Sequence, residues 1–341
     1  MAGVDTTGVG SVGTDQPEVG GRGASRLGWR AGVWRRGRIL AVLALLLGLL
    51  IALHSKVPNA IGSLGSLLET FLPWCGIGIV LLLGCALLRR SATALVALLV
   101  PLLIWLNFFG GLVTDKTGGD GGERGLTVVT HNVDADNADP AGTAEQLASS
   151  GADVLALEEL PSAKASSAYT ESLAADYPHH AVRGTIGLWS KHPVTDVREV
   201  DIKIGWTRAM RATVATPHGD IAVYVAHLPS VRVEFKAGFT AGQRDDAAEE
   251  LGRAIASEQL ERVVLLGDLN GTMNDRALAP VTSLMRSTQG ASGAGFGFSW
   301  PAAFPMARID QIMVKGLEPV SSWTLPRTGS DHLPVAASVE L

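Results

Sequence analysis

Cysteine is nearly absent from this chain. The two present, Cys75 and Cys85, fall in one apolar run. Ten residues apart on a helix, they would stand ~15 Å apart along the axis, too far to bridge each other. Residues 124–341 contain none, so this region relies on an ordinary hydrophobic core, which a stretch of that length can bury without disulfide staples. Basic side chains are scarce there too: 18 Lys and Arg face 26 Asp and Glu, a net of −8, a poor balance for a surface meant to track a nucleic-acid backbone. No internal repeat stands out. No clear small-x-small cleavage site follows the first apolar run and two more apolar runs come after it, which makes a signal peptide the weaker reading of it. Little lysine, with much Ala, Gly, Leu, Arg and Val, fits a GC-rich bacterial genome.

The net charge of −5 hides a split along the 341 residues. Arg22, Arg26, Arg30, Arg35, Arg36 and Arg38 cluster near the start, and residues 1–37 are rich in Gly, Ser, Thr and Val with no usable period. They read as a disordered basic tail on the cytoplasmic side. Three apolar runs follow, 39–53, 71–88 and 92–109, each approaching the ~20 residues that cross ~30 Å of hydrocarbon. Residues 38–110 are therefore expected to form three transmembrane helices. Arg89 and Arg90 make up the turn between the second and third, while Lys56 is the only basic residue between the first two. The positive-inside rule then puts the N-terminus inside and everything after Phe109 outside, with Trp74 and Trp105 at the outer interface. Residues 111–124 read as a Gly-rich linker.

Residues 125–341 alternate short apolar runs with turn signals. Strands are expected over 126–130, 153–157, 185–190, 194–200, 209–215, 220–227, 262–266, 309–314 and 335–341, and helices over 141–150, 163–175 and 242–257. Many strands, few helices and mixed connections predict an α/β fold with two packed sheets and helices outside. The polar residues fall at strand ends: Asn132 and Asp134, Glu158 and Glu159, His227, Asp268 and Asn270 in Gly-Asp-Leu-Asn, Asp310, and the pair Asp331-His332. Converging on one sheet rim, such groups can bind a hard divalent cation and a phosphate and activate water. Asp310 lies between Ile309 and Ile312 on a buried run and needs a partner. Adjacent Glu158 and Glu159 must point to opposite faces of their strand, so Glu158 is expected to turn away from a cation toward a basic partner. His131 precedes the first Asn. Arg208, Arg211 and Arg244 read as surface ion pairs in preference to phosphate clamps. Phe296 and Phe298 stand in a Gly-rich stretch that would hide them poorly, which suggests a lipid-facing lip.

These ordered motifs resemble the endonuclease/exonuclease/phosphatase superfamily, and the likeness spans nearly all of 125–341. It implies a four-layer αββα sandwich of the DNase I type behind the three membrane helices. It further implies a metal held by Glu159 and Asp331 with Asn132 and Asp134. Asp268 and Asn270 would set up the attacking water, Asp310 would brace His332, and His227 would contact the phosphate or leaving group. An aromatic is usual in the family where His131 stands, and Gln where Glu158 stands. Oxygen ligands favour Mg2+ or Mn2+, with Zn2+ an alternative because His is close. With its apolar runs, the whole chain also resembles the actinobacterial membrane phosphatases linked to teicoplanin resistance.

The expected function is that of a membrane-anchored, extracytoplasmic, metal-dependent phosphohydrolase. Its partners would be membrane lipids and a lipid-linked pyrophosphate such as undecaprenyl pyrophosphate, with no nucleic acid. A sphingomyelinase-like phospholipase C and an exported nuclease are the alternatives within the same chemistry. A non-catalytic receptor for lipid-linked wall precursors is the alternative from another class, and the set Asp268, Asn270 and His332 argues against it, since binding alone needs no water-activating group.

Overall fold

The structure, a computed structural model, describes residues 36–60, 62–119, 122–160, 163–234 and 238–341. All but the last two residues of the expected basic tail lie outside these.

Two six-stranded mixed sheets stack face to face. Sheet one contains β1 (Gly125–Asn132), β2 (Val154–Glu158), β3 (His179–Arg183) and β4 (Ile186–Ser190). Sheet two takes β5 (Val194–Glu199), β6 (Ala209–Thr216) and β7 (Gly219–Ala226), and after a small hairpin, β8 (Arg232–Glu234) with β9 (Gly238–Thr240), also β10 (Val263–Asp268), β11 (Arg286–Ser287) and β12 (Asp310–Lys315). The chain returns to sheet one through β13 (Glu318–Thr324) and β14 (Val335–Glu340). The orders are β13-β14-β1-β2-β4-β3 and β11-β12-β10-β7-β6-β5.

Strands packed on both faces read as continuous apolar runs. Leu126, Val128, Val154 and Ala156 point inward to meet Val223, Val225, Val264 and Leu266 across the sandwich. Val129, Leu155 and Leu157 point outward, where Leu147, Tyr169 and Leu173 of outer helices cover them. The other sheet is covered by Ala247, Leu251 and Ile255 of the helix Gly242–Ala256. Helix, sheet, sheet, helix is the expected layering. The strands His179–Arg183 and Glu318–Thr324 are additions to the expected set.

Before the sandwich come α1 (Arg38–Ala52), α2 (Leu64–Thr70), α3 (Cys75–Leu88) and α4 (Ala92–Val113). The expectation of three equivalent spans is corrected here. Among the described residues only α4, with 22 residues, is long and apolar enough to cross a membrane. Helices α2 and α3 qualify only as a pair, bent by 68° at Phe71–Trp74. Pro73 has no N–H to continue a helical ladder, so the chain makes a 3-10 turn there and then resumes. Helix α1, at 15 residues, is ~22 Å long and falls short of ~30 Å of hydrocarbon by itself. It lies against α4, where a Cβ on Gly48 would sit 3.2 Å from Val100. The expected linker is partly structured: α4 continues to Val113, and the Gly118 N–H donates to the Val320 carbonyl on β13 at 2.7 Å.

Two of the three arginines read as surface ion pairs are buried supports. Arg211 makes a two-pronged contact with Glu258, Nε to Oε2 at 3.0 Å and Nη2 to Oε1 at 3.1 Å, with Asp196 on its other side. Arg244, 1 % exposed, is shared between Asp245, Asp275 and the Asn270 carbonyl. Burial by itself would raise the Glu258 carboxyl, but Arg211, the Leu260 N–H and the Tyr224 hydroxyl outweigh it and hold it at about 2. Its contribution to stability is therefore complete above the unfolded carboxyl value and is lost as pH falls toward 2. Glu258→Gln should destabilise the full chain in detergent by roughly 2–3 kcal/mol near neutrality, as expected for lost charged hydrogen bonds. It should also flatten the acid side of the stability curve. An unchanged acid limb in thermal unfolding would contradict this.

Candidate active site

Strand pairing builds the site. Asp268 and Asp310 are direct partners across the antiparallel β10–β12 pair. Asn132 and Glu158 are partners across parallel β1–β2. Both pairs fall at the same rim of the sandwich. Gly267 precedes Asp268 with φ 151°, and a Cβ there would run into the Ala226 carbonyl. The two central strands can approach only with glycine at that point.

Asp268 is the hub and is 1 % exposed. It accepts from the Asn270 backbone N–H at 2.8 Å, the Asn270 amide at 3.2 Å and the Asn132 amide at 3.1 Å. His227 Nε2 lies 3.7 Å and His332 Nε2 3.9 Å from its Oδ2. Asp310, fully buried, contacts His332 Nδ1 at 2.9 and 3.1 Å. His332 Nε2 is therefore left to face Asp268 and, at 3.8 Å, Asp331. Glu159 Oε1 is 3.4 Å from His227 Nε2.

The electrostatics separate the two central carboxylates. Burial and the nearby Asp310 charge push Asp268 up to about 7. Burial also opposes ionisation of Asp310, but the charge and hydrogen bond of His332 overcome it and hold Asp310 below the usual carboxylate range. His332 is pushed up to about 10: burial works against its charge, and Asp310, Asp268 and Asp331 together outweigh burial. His227 goes the other way. Burial and the guanidinium of Arg208, which touches its ring, keep it well below the ordinary imidazole value, so it is neutral. Two histidines thus stand beside one aspartate in opposite charge states.

A cavity of about 490 Å³ opens over this hub, and Asp134, Glu159, Asp268, Asn270, Asp331 and His332 all line it. Three of them are non-glycine residues with left-handed backbone: Asp134 at φ 61°, Glu159 at 58° and Asn270 at 47°. Such conformations are costly and concentrate at functional sites. Here they turn side chains off the strand ends toward one hollow. Asn132, His227 and Asp310 lie behind the lining set. The nine polar candidates therefore converge.

Asp134, Glu159 and Asp331 line the open cavity, and carboxylates are the ligand type a hard divalent cation takes. Among the described residues, the one acidic or histidine cluster whose potential ligand atoms all lie within 4.8 Å of one another is Asp268, Asp310 and His332. In that trio the His332 Nδ1 is engaged by Asp310, so it works as a hydrogen-bonded relay. Asn132 is tied on both sides, its Oδ1 accepting from the Asp134 N–H at 3.1 Å and its amide donating to Asp268.

Several expectations are corrected. Glu158 has no basic partner: it accepts from the Thr130 hydroxyl at 2.8 Å, its Oε2 is unpartnered, and burial raises it well above a normal carboxyl. Its strand position turns it inward, between the sheets. Arg208 belongs to the site, beside His227, and is no surface ion pair. Phe296 and Phe298 form no exposed lip. Phe298 stacks on Trp74 at 5.8 Å and Phe296 packs on Trp105 and Phe109, so the apolar helices cover them. Trp74 and Trp105 direct their indole N–H groups to backbone carbonyls.

Three participants were not anticipated. Ser330 donates to the Asn132 carbonyl at 2.7 Å and accepts from the His332 N–H at 3.0 Å, tying the two ends of the site together. Its place inside Gly329-Ser330-Asp331-His332 was the available signal. Thr70 and Phe71, from the bend between α2 and α3, line the cavity, and nothing in their local sequence announces it.

The chain matches the endonuclease/exonuclease/phosphatase family over residues 129–332 and belongs to it. It is accordingly a metal-dependent hydrolase of phosphate ester or anhydride bonds. No curated protein matches it. Among solved structures, Danio rerio TDP2 with a single-strand DNA product is similar at 17% identity and TM-score 0.54, covering 64% of this chain and 100% of its own. An endonuclease/exonuclease/phosphatase protein of Bacteroides vulgatus gives 17%, 0.53, 64% and 99%. Beta toxin of Staphylococcus aureus gives 14%, 0.51, 62% and 99%. At these identities the likeness is one of fold.

If Asp310 acts only through His332, the two substitutions should not add. His332→Ala should cost on the order of 100-fold or more in kcat on a simple aryl phosphodiester. Asp310→Asn should cost less, and the double variant about as much as His332→Ala alone. Multiplying losses would assign Asp310 an independent role.

Proposed function

We propose that this protein is a membrane-anchored phosphohydrolase whose substrate is a lipid pyrophosphate at the outer face of the cytoplasmic membrane, undecaprenyl pyrophosphate being the fitting case. One observation carries the reading: part of the catalytic cavity wall comes from the apolar helices, through Thr70 and Phe71. An anchor that merely held the domain near a membrane would have no reason to line the cavity. The contact is also fastened. Arg276 Nε lies 3.2 Å from the fully buried Glu69, and the same guanidinium reaches the Ser55 and Val57 carbonyls. An N-terminus inside and a hydrolase domain outside are part of this proposal, as is a role in teicoplanin resistance.

In the proposed mechanism Glu159, Asp331 and Asp134, with the side-chain oxygen of Asn132, would hold a Mg2+-like ion. When bound, the ion supplies Lewis-acid polarisation of the phosphoryl group. Asp268, poised near neutrality, takes the proton of the attacking water, and Asn270 orients that water. The charged His332, braced by Asp310, stabilises the phosphoryl oxygens. Neutral His227 donates an N–H, while Arg208 beside it adds positive charge.

The test is hydrolysis by the detergent-solubilised full chain of polyprenyl pyrophosphate, read as inorganic phosphate, of phospholipid and sphingomyelin, read as the released phosphorylated head group, and of DNA, read as strand cleavage. Polyprenyl pyrophosphate should be hydrolysed fastest, only with a divalent ion, and Asp268→Ala should lose at least about 100-fold. Faster DNA cleavage would make this an exported nuclease. Faster sphingomyelin or phospholipid cleavage would make it a phospholipase C. Protease added to intact spheroplasts should remove the domain after Phe109, and protection until lysis would overturn the topology.

A further inference from the structure

A second hollow lies between α3 and α4 and is roofed by the hydrolase domain. It has a volume of about 400 Å³, within the usual range of ligand sites, and Pro73, Trp74, Ile77, Trp105, Phe296 and Phe298 supply most of its walls. It presents almost nothing but carbon. The Trp74 indole N–H donates to the Met306 carbonyl at 2.8 Å and the Trp105 indole N–H to the Pro73 carbonyl at 2.9 Å. Both tryptophans thus spend their one polar group on backbone and leave ring faces to the trough. Phe296 and Phe298 stack at 5.1 Å, with Phe298 stacked in turn on Trp74. Gly76 contributes no side chain, and a Cβ there would meet the Trp105 ring at 3.0 Å. At the rim, Ile77 and Val80 are 50 % and 66 % exposed, so the trough opens onto the apolar outer surface of the helices.

The trough and the catalytic cavity are lined by successive residues of one bend. Thr70 and Phe71 line the cavity, and Pro73 and Trp74, the next residues of the same bend, line the trough. A smaller hollow of about 250 Å³ shares Thr70 with the first, and Pro73, Phe296 and Phe298 with the second. The domain repeats the link: Trp300 lines the cavity, its carbonyl accepts from the Met306 N–H at 2.8 Å, and the Met306 carbonyl receives Trp74. A polar, cation-competent hollow and a carbon-walled one are therefore joined by one five-residue bend. A ligand matching both has a phosphorylated head and a hydrocarbon chain.

We propose that the trough formed by Pro73, Trp74, Ile77, Trp105, Phe296 and Phe298 is the subsite for the hydrocarbon chain of the substrate. The chain enters sideways from the bilayer past Ile77 and Val80, and the head group reaches the catalytic residues across the bend. This rests on the lipid-phosphohydrolase reading and adds to it a site that reads the chain. A chain drawn from the bilayer is already out of water, so discrimination of long chains from short ones comes from packing against the ring walls of the trough.

The experiment uses the full chain in nanodiscs. First, kcat/KM is compared for isopentenyl, farnesyl and long polyprenyl pyrophosphates, which share one head group. Filling the trough with Ile77→Trp or Gly76→Leu should lower the long-over-short ratio about tenfold. Leu46→Trp, on the exposed face of α1 and outside the trough, should leave that ratio unchanged. Equal falls for all chain lengths, or an unchanged ratio in both trough variants, would overturn the subsite. Second, a polyprenyl pyrophosphate carrying a diazirine near its head is photolysed with the inactive Asp268→Asn chain. Labelling of 73–80 and 296–298, competed by unlabelled polyprenyl pyrophosphate, supports the subsite. Labelling spread evenly over the exposed helix faces, or competed equally by bulk phospholipid, refutes it. The two readouts fail separately: hydrolysis without trough labelling removes the subsite and keeps the function, whereas trough labelling without hydrolysis removes the function and keeps the subsite.

Discussion

Two buried carboxylates facing each other across a strand pair set the terms for the rest of this structure. Asp268 and Asp310 are in register on β10 and β12, where like charges directly opposite are destabilising. The fold accommodates them by making them unequal. His332 binds Asp310 through one ring nitrogen and turns the other toward Asp268, so a single positive charge serves both. The amides of Asn132 and Asn270 then supply neutral donors to Asp268. The result is one carboxylate firmly ionised and one near neutrality. This is the separation that lets neighbouring acids take different parts in one reaction. The arrangement needs β1, β10, β12 and the 329–332 loop at one rim, which is the position of those elements in the two-sheet sandwich.

The same rim explains the unusual backbone. A strand ending in the core would carry its last side chain up or down the pleat, not forward. Left-handed turns at Asp134, Glu159 and Asn270 redirect them into one cavity. Glu158 shows what happens without the turn. One residue earlier and still on the pleat, it is sealed between the sheets, and burial raises its carboxyl well above the ordinary value. Two adjacent glutamates thus differ in access because one lies on the strand and the other just past its end.

Much of this was legible in the sequence, for physical reasons. Strands buried on both faces appear as short apolar runs, and polar residues that end such runs must emerge at a sheet rim. That reasoning anticipated the layering and the convergence of the nine polar candidates at one rim. It failed where local pattern carries no information about what packs against a segment. Phe296 and Phe298 sit in a glycine-rich stretch that looks exposed, yet α3 and α4 cover them. Arg211 and Arg244 look like surface charges, yet their acidic partners lie 47 and 31 residues away in sequence. The span count failed on length: the first run gives a 15-residue helix, and Leu72–Leu88 reaches spanning length only together with Leu64–Thr70, from which it is bent by 68°.

That bend changes what the helices are for. Bent after Thr70, the segment puts Thr70 and Phe71 on the cavity wall and leaves Trp74 against Phe298. The fully buried Glu69 is held there by Arg276, whose neighbour Asp275 anchors Arg244, and Arg244 in turn holds the carbonyl of Asn270. A line of contacts, carried along the chain itself from Arg276 to Asp275, therefore runs from the helices to a residue that touches Asp268. Each side-chain link is buried on at least one side, where removing a partner leaves an uncompensated charge. The apolar helices and the site are mechanically one unit, so the orientation of the hydrolase domain over the helices is fixed by the contacts that also shape its cavity.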